Sequence, residues 1–395
     1  MTRYLIRQTL TSIVKLLVFI TFMFFFIQVM MPGDFVDQFS IFCDDECRAA
    51  LRAQLGLDLP IWQRYIQWLK QLIKLDLGTS LYGPDIADIL KDVIPPTLLV
   101  FCTGTALAFL IGLWLGKQTA WRGSGFLSRI TTLGGITLFT SFPPWLAWLV
   151  TYVLARRADF VIMGERGGLR AVSFKNLSYD LWFGVELQPT VITLYMFYSL
   201  LAAVILLLII NAVIKRLTGR GIPTLLLVLL IAGGSVGIWY LMDIQIYAFD
   251  ILKLAWLPIL VYTLLSFGET MIIMQSSMTE VMKEEYVRTA HAKGLPSSTV
   301  RERHAARNAL LPVLSRLVIS LPYLITGVVI VESSVGWPGM GTNMWNALYW
   351  QNMPVVMATL LIVGVLSLVA RLILDVLMAY FDPRIRHRAH RPAVA

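Results

Sequence analysis

The sequence predicts an all-α integral membrane protein, and three observations carry that prediction. Of 395 residues, 57% are hydrophobic and only 14% charged, where a soluble domain carries roughly a quarter charged residues. Mean hydropathy is +0.71. The apolar residues gather into runs of about twenty, the length a helix needs to cross a hydrocarbon core of ~30 Å. Lys and Arg collect in the short stretches between those runs. A net charge of +9 would suit nucleic acid only as a basic face on a soluble module. Spread over loops between apolar runs, it follows the positive-inside rule instead. The expected surroundings are a lipid bilayer, with no nucleic acid.

Arg3, Arg7 and Lys15 precede an apolar run over residues 16–31. No small-residue cleavage site follows, so residues 1–31 read as an uncleaved N-terminal transmembrane helix starting in the cytoplasm, not as a signal peptide. Residues 32–95 are then extracytoplasmic. Trp62, Tyr65 and Trp68 predict amphipathic helices near the membrane interface, and DLGTSLYGPD at 76–85 reads as turns. Cys43 and Cys47 bracket three acids in CDDEC. A disulfide suits that compartment; metal binding by thiols and acids is the alternative. Cys102, inside an apolar run, reads as a small packing residue.

Residues 96–155 hold transmembrane helices 2 and 3. The second covers 97–116, just after Pro95 and Pro96, and Gly104, Ala108, Gly112 and Gly116 recur every four residues on one face. Such a stripe lets another helix backbone approach closely. Packing within this chain is the plain reading, a subunit interface the functional one. GLWLGK at 112–117 is not a phosphate loop, being one residue short and lacking Ser or Thr after the lysine. Lys117, Arg122 and Arg129 mark a return to the cytoplasm. The third span, 130–154, has Pro143 and Pro144 in its middle. A proline pair there kinks or breaks a helix, which a membrane tolerates where protein or a cavity receives the freed carbonyls. Pro143 and Pro144 are therefore candidates for a translocation path, with packing strain as the alternative.

Residues 156–253 contain an extracytoplasmic loop and two further apolar runs, 190–214 and 223–242, with Lys215, Arg216 and Arg220 between them. Residues 254–380 contain spans at 254–274, 310–331 and 355–380 and a cytoplasmic loop at 276–308; residues 381–395 are a basic cytoplasmic tail. Arg371 and Asp375, four apart, can pair on one helical face. Eight spans with both termini cytoplasmic place every basic loop inside. Glu269, ionisable and surrounded by apolar residues, is a further path candidate; near the inner end of its helix it can also simply reach water or polar protein.

Catalytic chemistry is not legible. His291, His304, His387 and His390 all fall in cytoplasmic segments, and there is no HExxH, nucleophile elbow, dinucleotide fingerprint or complete phosphate loop. The expectation is a conduit, not an enzyme, with no cofactor in this chain.

The spans surround a polar island at residues 280–312, EVMKEEYVRTAHAKGLPSSTVRERHAARNALLP. Glu280, Glu284 and Glu285 precede a helix-like stretch ending at Lys293, a charge order that suits the helix dipole. Gly294 is a natural stop, and Pro296 prevents continuation. Thr299 and Glu302 spell a capping box for a second helix. Helix, glycine turn and helix make a docking shape; an ordinary charged loop is the plain alternative.

The island joins MPGD (31–34), LGLDLP (55–60), DLGTS (76–80), GWPGMG (336–341) and FDPRIR (381–386). In this order the motifs are similar to those of the dipeptide/oligopeptide branch of ABC-importer permeases, over most of the chain. The resemblance implies the type I ABC importer permease fold, usually six helices, with about two extra transmembrane helices supplied by an insertion at 156–253. It implies a second homologous permease subunit, two ABC ATPase subunits that hold the ATP and Mg, an extracytoplasmic solute-binding protein, and a peptide or related solute as cargo. The location implied is a prokaryotic plasma (inner) membrane. Glu284, Glu285, Tyr286, Val287, Arg288, Thr289, Ala290, Lys293 and Gly294 would form the ATPase-coupling loop. The general E-A-A-x-x-x-G signature here has Arg288, Thr289, Ala290 and Gly294, a version typical of the peptide branch. Arginines common just before the loop are replaced by Ile272 and Gln275.

Two rivals stand beside this reading. An ion-coupled secondary transporter or channel would show several ionisable groups at mid-membrane, where Glu269 and the Arg371–Asp375 pair are the only candidates. A structural membrane scaffold is suggested only by the two added spans.

Overall fold

The computed structural model describes residues 2–30, 36, 44–54, 56–123, 125–157, 177, 179–182, 187–218 and 221–381. Among them the chain is helical, with one isolated bridge between Thr79 and Asp85. The helices are α1 (Thr2–Met30), α2 (Asp45–Gln54), α3 (Ile61–Ile73), α4 (Ile86–Arg122), α5 (Phe126–Thr140), α6 (Pro143–Arg157), α7 (Tyr179–Trp182) and α8 (Pro189–Thr218). They continue with α9 (Thr224–Leu241), α10 (Gln245–Val281), α11 (Glu285–Ala292), α12 (Ser297–Thr299), α13 (Ala306–Val335), α14 (Met340–Tyr349) and α15 (Met353–Phe381). A π-helical stretch, Val300–Ala305, leads into α13.

The centre is the pair α4 and α10, 37 residues each. A Cβ on Gly112 would lie 2.7 Å from the Phe267 carbonyl oxygen, and one on Gly116 2.6 Å from that of Met271. Gly104 sits directly against the Tyr262 ring. The glycine stripe is thus consumed inside the chain, and the subunit-interface reading gives way to the plain one. In lipid the hydrophobic term between helices largely cancels, so this close backbone approach is what draws the two together. Gly135 and Gly268 let α5 cross α10 in the same way.

Several expectations need correction. α4 begins at Ile86, so Pro95 and Pro96 lie within a helix instead of ahead of one. Their missing N–H groups leave the carbonyls of Lys91 and Asp92 without helical donors, and both residues are exposed, so water can serve them. α10 extends well beyond 254–274 at both ends. The 130–154 run does break at the proline pair, as expected, into α5 and α6, bent by 114°. Pro143 begins α6, where a proline's missing N–H costs nothing. The outer segment after residue 331 is largely helical, as the end of α13 and as α14.

α4, α8 and α10 are each long and apolar enough to cross a membrane, and the bent α5–α6 pair passes the same test together. Shorter apolar stretches lie within α1, α9 and α15. α8 packs on α4 and on α9, with the buried Trp239 indole donating to Ser199 Oγ at 2.7 Å. The two apolar runs of 156–253 therefore form a hairpin on the flank of α4. α7 is tied to α10: Trp182 Nε1 donates to Asp250 Oδ2 at 3.0 Å.

The aromatic residues of α3 pack on α1. Tyr65 and Trp68 lie 5.4 and 5.6 Å from the Phe24 ring, and the Tyr65 hydroxyl meets Thr21 Oγ1 at 2.8 Å. The DLGTS turn docks on the start of α15, where Asn352 Nδ2 donates to Ser80 Oγ at 2.7 Å. GWPGMG folds back on α4. Trp337, fully buried, donates its indole N–H to the Pro96 carbonyl at 3.2 Å, and Met340 N–H donates to Thr97 Oγ1 at 2.8 Å.

Cys47 is disulfide-bonded, while Cys43 lies outside the described residues, as do MPGD, residues 158–176 and 382–395, and the side chains of Arg371 and Asp375. Cys102 is a free thiol.

Candidate functional site

α11 is eight residues long, with Glu284 as its N-cap residue and Glu285 in its first turn. Its end is built by backbone alone. Gly294 adopts φ +71°, its N–H donates to the His291 carbonyl, and Leu295 N–H donates back to Ala290. That 5→2 and 6→1 pairing is a Schellman close, which needs the left-handed conformation that glycine takes without steric cost.

The helix has two unlike faces. Val287 and Ala290 are buried in one apolar cluster with Ala120 of α4, Met274 and Met278 of α10, Val300 and Ala305 of the π stretch, and Ala309 and Val313 of α13. Asn308 Nδ2 donates to the Tyr286 hydroxyl at 2.8 Å, tying α11 to α13. His291 stacks on Trp121 of α4 at 6.1 Å. On the other face Glu284, Glu285, Arg288, Thr289 and Lys293 are exposed, and among the described residues Arg288 pairs only with Glu285, 3.2 Å away in the same helix. An exposed pair of that kind contributes little stability.

The capping box predicted at Thr299 and Glu302 does not form. α12 starts after Pro296 and has no side-chain cap. Glu302 instead reaches Lys117 Nζ at 2.7 Å and Arg301 Nε at 3.0 Å, and Arg301 also donates to Gln118 Oε1 at 3.5 Å. A π stretch is a common local distortion at functional sites; here it carries both residues that meet the end of α4. Partial burial opposes the charge on Glu302, but its bonds to Lys117 and Arg301 prevail and hold its carboxyl below the ordinary 4.5.

Glu269 finds a partner that sequence reading missed. Arg316 Nε, on α13, lies 2.9 Å from Glu269 Oε1 on α10, with the two side chains 54% and 16% exposed. They border a small pocket between α4, α10 and α13 that also presents Thr105, Ser266 and Thr270. Pro143 and Pro144 do not line it. The signal for Arg316 was available, since it is the one charged residue within 310–331. Ile272 and Gln275 have structural roles: Ile272 packs against the Phe267–Met271 cluster, and Gln275 Oε1 accepts from Thr132 at 3.2 Å.

A second missed carboxylate, Glu332, is fully buried near the C-terminal end of α13. Its Oε2 accepts the Gly341 N–H at 2.8 Å, Gly339 sits directly against the carboxylate, and among the described residues Oε1 has no hydrogen-bond partner. Among the described residues no group of three His, Cys, Asp or Glu could hold a metal ion.

Two family models match this chain. That of the binding-protein-dependent transport system inner membrane component covers residues 216–387, and that of the N-terminal part of such membrane components covers residues 1–81. The chain is similar to the oligopeptide transport system permease protein AppB of Bacillus subtilis, 29% identical over 98% of this chain and 100% of AppB. It is similar to the dipeptide transport system permease protein DppB of Escherichia coli strain K12, 25% identical over 98% of this chain and 100% of that one. The DppB protein of Alkalihalophilus pseudofirmus is 26% identical over 86% of each chain.

Proposed function

We propose that the chain is the permease subunit of an ATP-driven importer of peptides or a related small solute, a reading supported by the match of residues 216–387 and 1–81 to the models of binding-protein-dependent transport membrane components. It forms the translocation path with a second homologous permease, receives solute from an extracytoplasmic binding protein, and couples to two cytoplasmic ATPase subunits that bind ATP and Mg. Eight spans with both termini in the cytoplasm put α11 on the ATPase side, as the loop charges require. The peptide assignment draws support from the relatives, which are named for oligopeptide and dipeptide transport.

The observation that carries this reading is the two-faced geometry of α11. Its inner face is packed against α4, α10 and α13 through Val287 and Ala290, and its outer face is open and charged. A partner that closes on the outer face moves three membrane helices at once. A secondary transporter would instead need an ionisable relay along the membrane, and Glu269 with Arg316 forms one mutually neutralising pair.

Affinity purification of the intact complex tests the assignment: an ATPase with a phosphate loop is expected to accompany the chain. Gly294→Val tests the coupling role. Forcing a β-branched residue into the left-handed region costs about 1–2 kcal/mol, and no neighbour lies within 4 Å of its Cβ position, so the effect is confined to the turn. The variant is expected to insert normally and to lose transport and solute-stimulated ATP hydrolysis. Normal transport by Gly294→Val would refute the coupling role.

A further inference from the structure

Arg316 stands ten residues into α13, counted from Ala306, which at 1.5 Å per residue is about 15 Å along the helix. Glu269 stands twelve residues before the end of α10 at Val281, about 18 Å by the same rise. Counted from the inner ends of the apolar spans at 274 and 310, the pair lies five and six residues in, about 8–9 Å inside a ~30 Å hydrocarbon core. A guanidinium that is 54% exposed at that depth does not face lipid, where it would cost several kcal/mol; such groups turn toward water or a polar partner.

Glu269 fixes how Arg316 is presented. Its Oε1 takes the Nε edge of the guanidinium. Among the described residues the two terminal nitrogens of Arg316 have no acceptor, which leaves the outer edge of the planar fork open. That edge matches a carboxylate in bidentate geometry, which a point-charge ammonium does not. Beside it the pocket offers the hydroxyl-bearing Thr105 and Thr270.

We propose that Arg316, oriented by Glu269, is a carboxylate subsite in the translocation path that takes the C-terminal carboxylate of a passing peptide. The proposal rests on the importer reading above. Glu269 has a second function here: its own negative charge weakens the hold on an arriving carboxylate, so the site guides solute without trapping it.

The test uses the complete transporter with its binding protein, reconstituted in liposomes, and one peptide supplied as the free acid and as the C-terminal amide. The binding protein's own preference is the same in every preparation, so the change in acid-to-amide uptake ratio between wild type and variant reports on the permease. Arg316→Gln is expected to lower that ratio roughly tenfold while amide uptake is kept, since a hydrogen-bonded charge pair is lost. Arg316→Lys retains charge without the fork and is expected to fall in between; it also serves if Arg316→Gln fails to insert. Glu269→Gln, which removes the competing charge, is expected to raise the ratio. An unchanged ratio in the Arg316 variants overturns the proposal, including the case where both uptakes fall equally, which marks Arg316 as a structural or subunit-interface residue. Failure of the wild type to take up either form removes the importer reading itself, and the subsite with it.

Discussion

Lys117 and Glu302, 185 positions apart, meet at 2.7 Å and join the end of α4 to the π stretch that carries the chain from α11 into α13. The carboxylate is also held by Arg301, so the link is a three-residue clasp in which removing Glu302 leaves two cations unmatched. Both partners are partly exposed, and solvent screening limits the contribution to well under the value of a buried pair.

Glu302→Gln is expected to lower thermal stability only slightly while weakening solute-stimulated ATP hydrolysis. The charge-swapped pair Lys117→Glu with Glu302→Lys is expected to recover part of the loss. The pH dependence has a defined sign. The carboxyl of Glu302 is depressed in the folded state, so its stabilisation is fully present above the ordinary value of 4.5 and is lost as pH falls through the folded value. Thermal melts of wild type and Glu302→Gln in detergent should converge below pH 4.5 and separate toward neutrality; a constant separation would contradict the clasp.

Gly112→Val should be among the most damaging single changes in the membrane body. Its Cβ would lie 2.7 Å from both the Phe267 carbonyl oxygen and Thr270 Cβ. The first of these is backbone and has no rotamer to give. Overpacking of this kind costs about 1–3 kcal/mol, and α4 and α10 have no alternative seam. The expected result is reduced folded yield by size-exclusion profile, whereas Gly134→Val, which has nothing within 4 Å, should behave as wild type.

Glu332 offers a contrast between isosteres. Glu332→Gln keeps an oxygen for the Gly341 N–H and the same shape, so it should fold about as well as wild type. Glu332→Ala strands that N–H in a dry site, a loss of about 1–3 kcal/mol. Comparison of melting temperatures in detergent checks the order; an alanine variant as stable as the glutamine variant would show that the carboxylate does not hold the outer loop.

Ser199→Ala removes the acceptor for the buried Trp239 indole. Leaving that donor unpaired should cost about 1–3 kcal/mol, and the loss should be confined to the α8–α9 hairpin. Hydrogen exchange is expected to rise in α8 and α9 with α10 unaffected, and transport is expected to persist. A rise in exchange across α10 would mean that the hairpin is part of the central packing.

How much of this was written in the sequence depends on the range of the interaction. The membrane class, the apolar runs and the glycine stop at Gly294 follow from local pattern, because each depends on residues within one or two helical turns. The break at Pro143 is local too, although its 114° angle is not. Failures came where a side chain had a better partner far away. Glu302 fits a capping box with Thr299, yet Lys117, out of view in the linear order, competes for it and wins. Pro95 and Pro96 looked like a boundary because a helix through them leaves carbonyls unserved, but those carbonyls fall at exposed positions. Arg316 was legible as a lone charge in an apolar run; its pairing with Glu269 needed the crossing of α10 and α13.

α10 is held at both extremities, by Asp250 against Trp182 at one and by Met274 and Met278 beneath α11 at the other. Pro258 lies between them and removes one backbone hydrogen bond. From Pro258 the helix extends about 20 Å to its first residue and about 35 Å to its last at 1.5 Å per residue. If α10 rocks at that proline, the two arms form an unequal lever. A 1 Å push at the α11 end then becomes a counter-movement of about 0.6 Å at Gln245, the first residue of α10. On the proposed coupling role of α11, the long arm lies on the side where the work enters, and travel is traded for force at the far end.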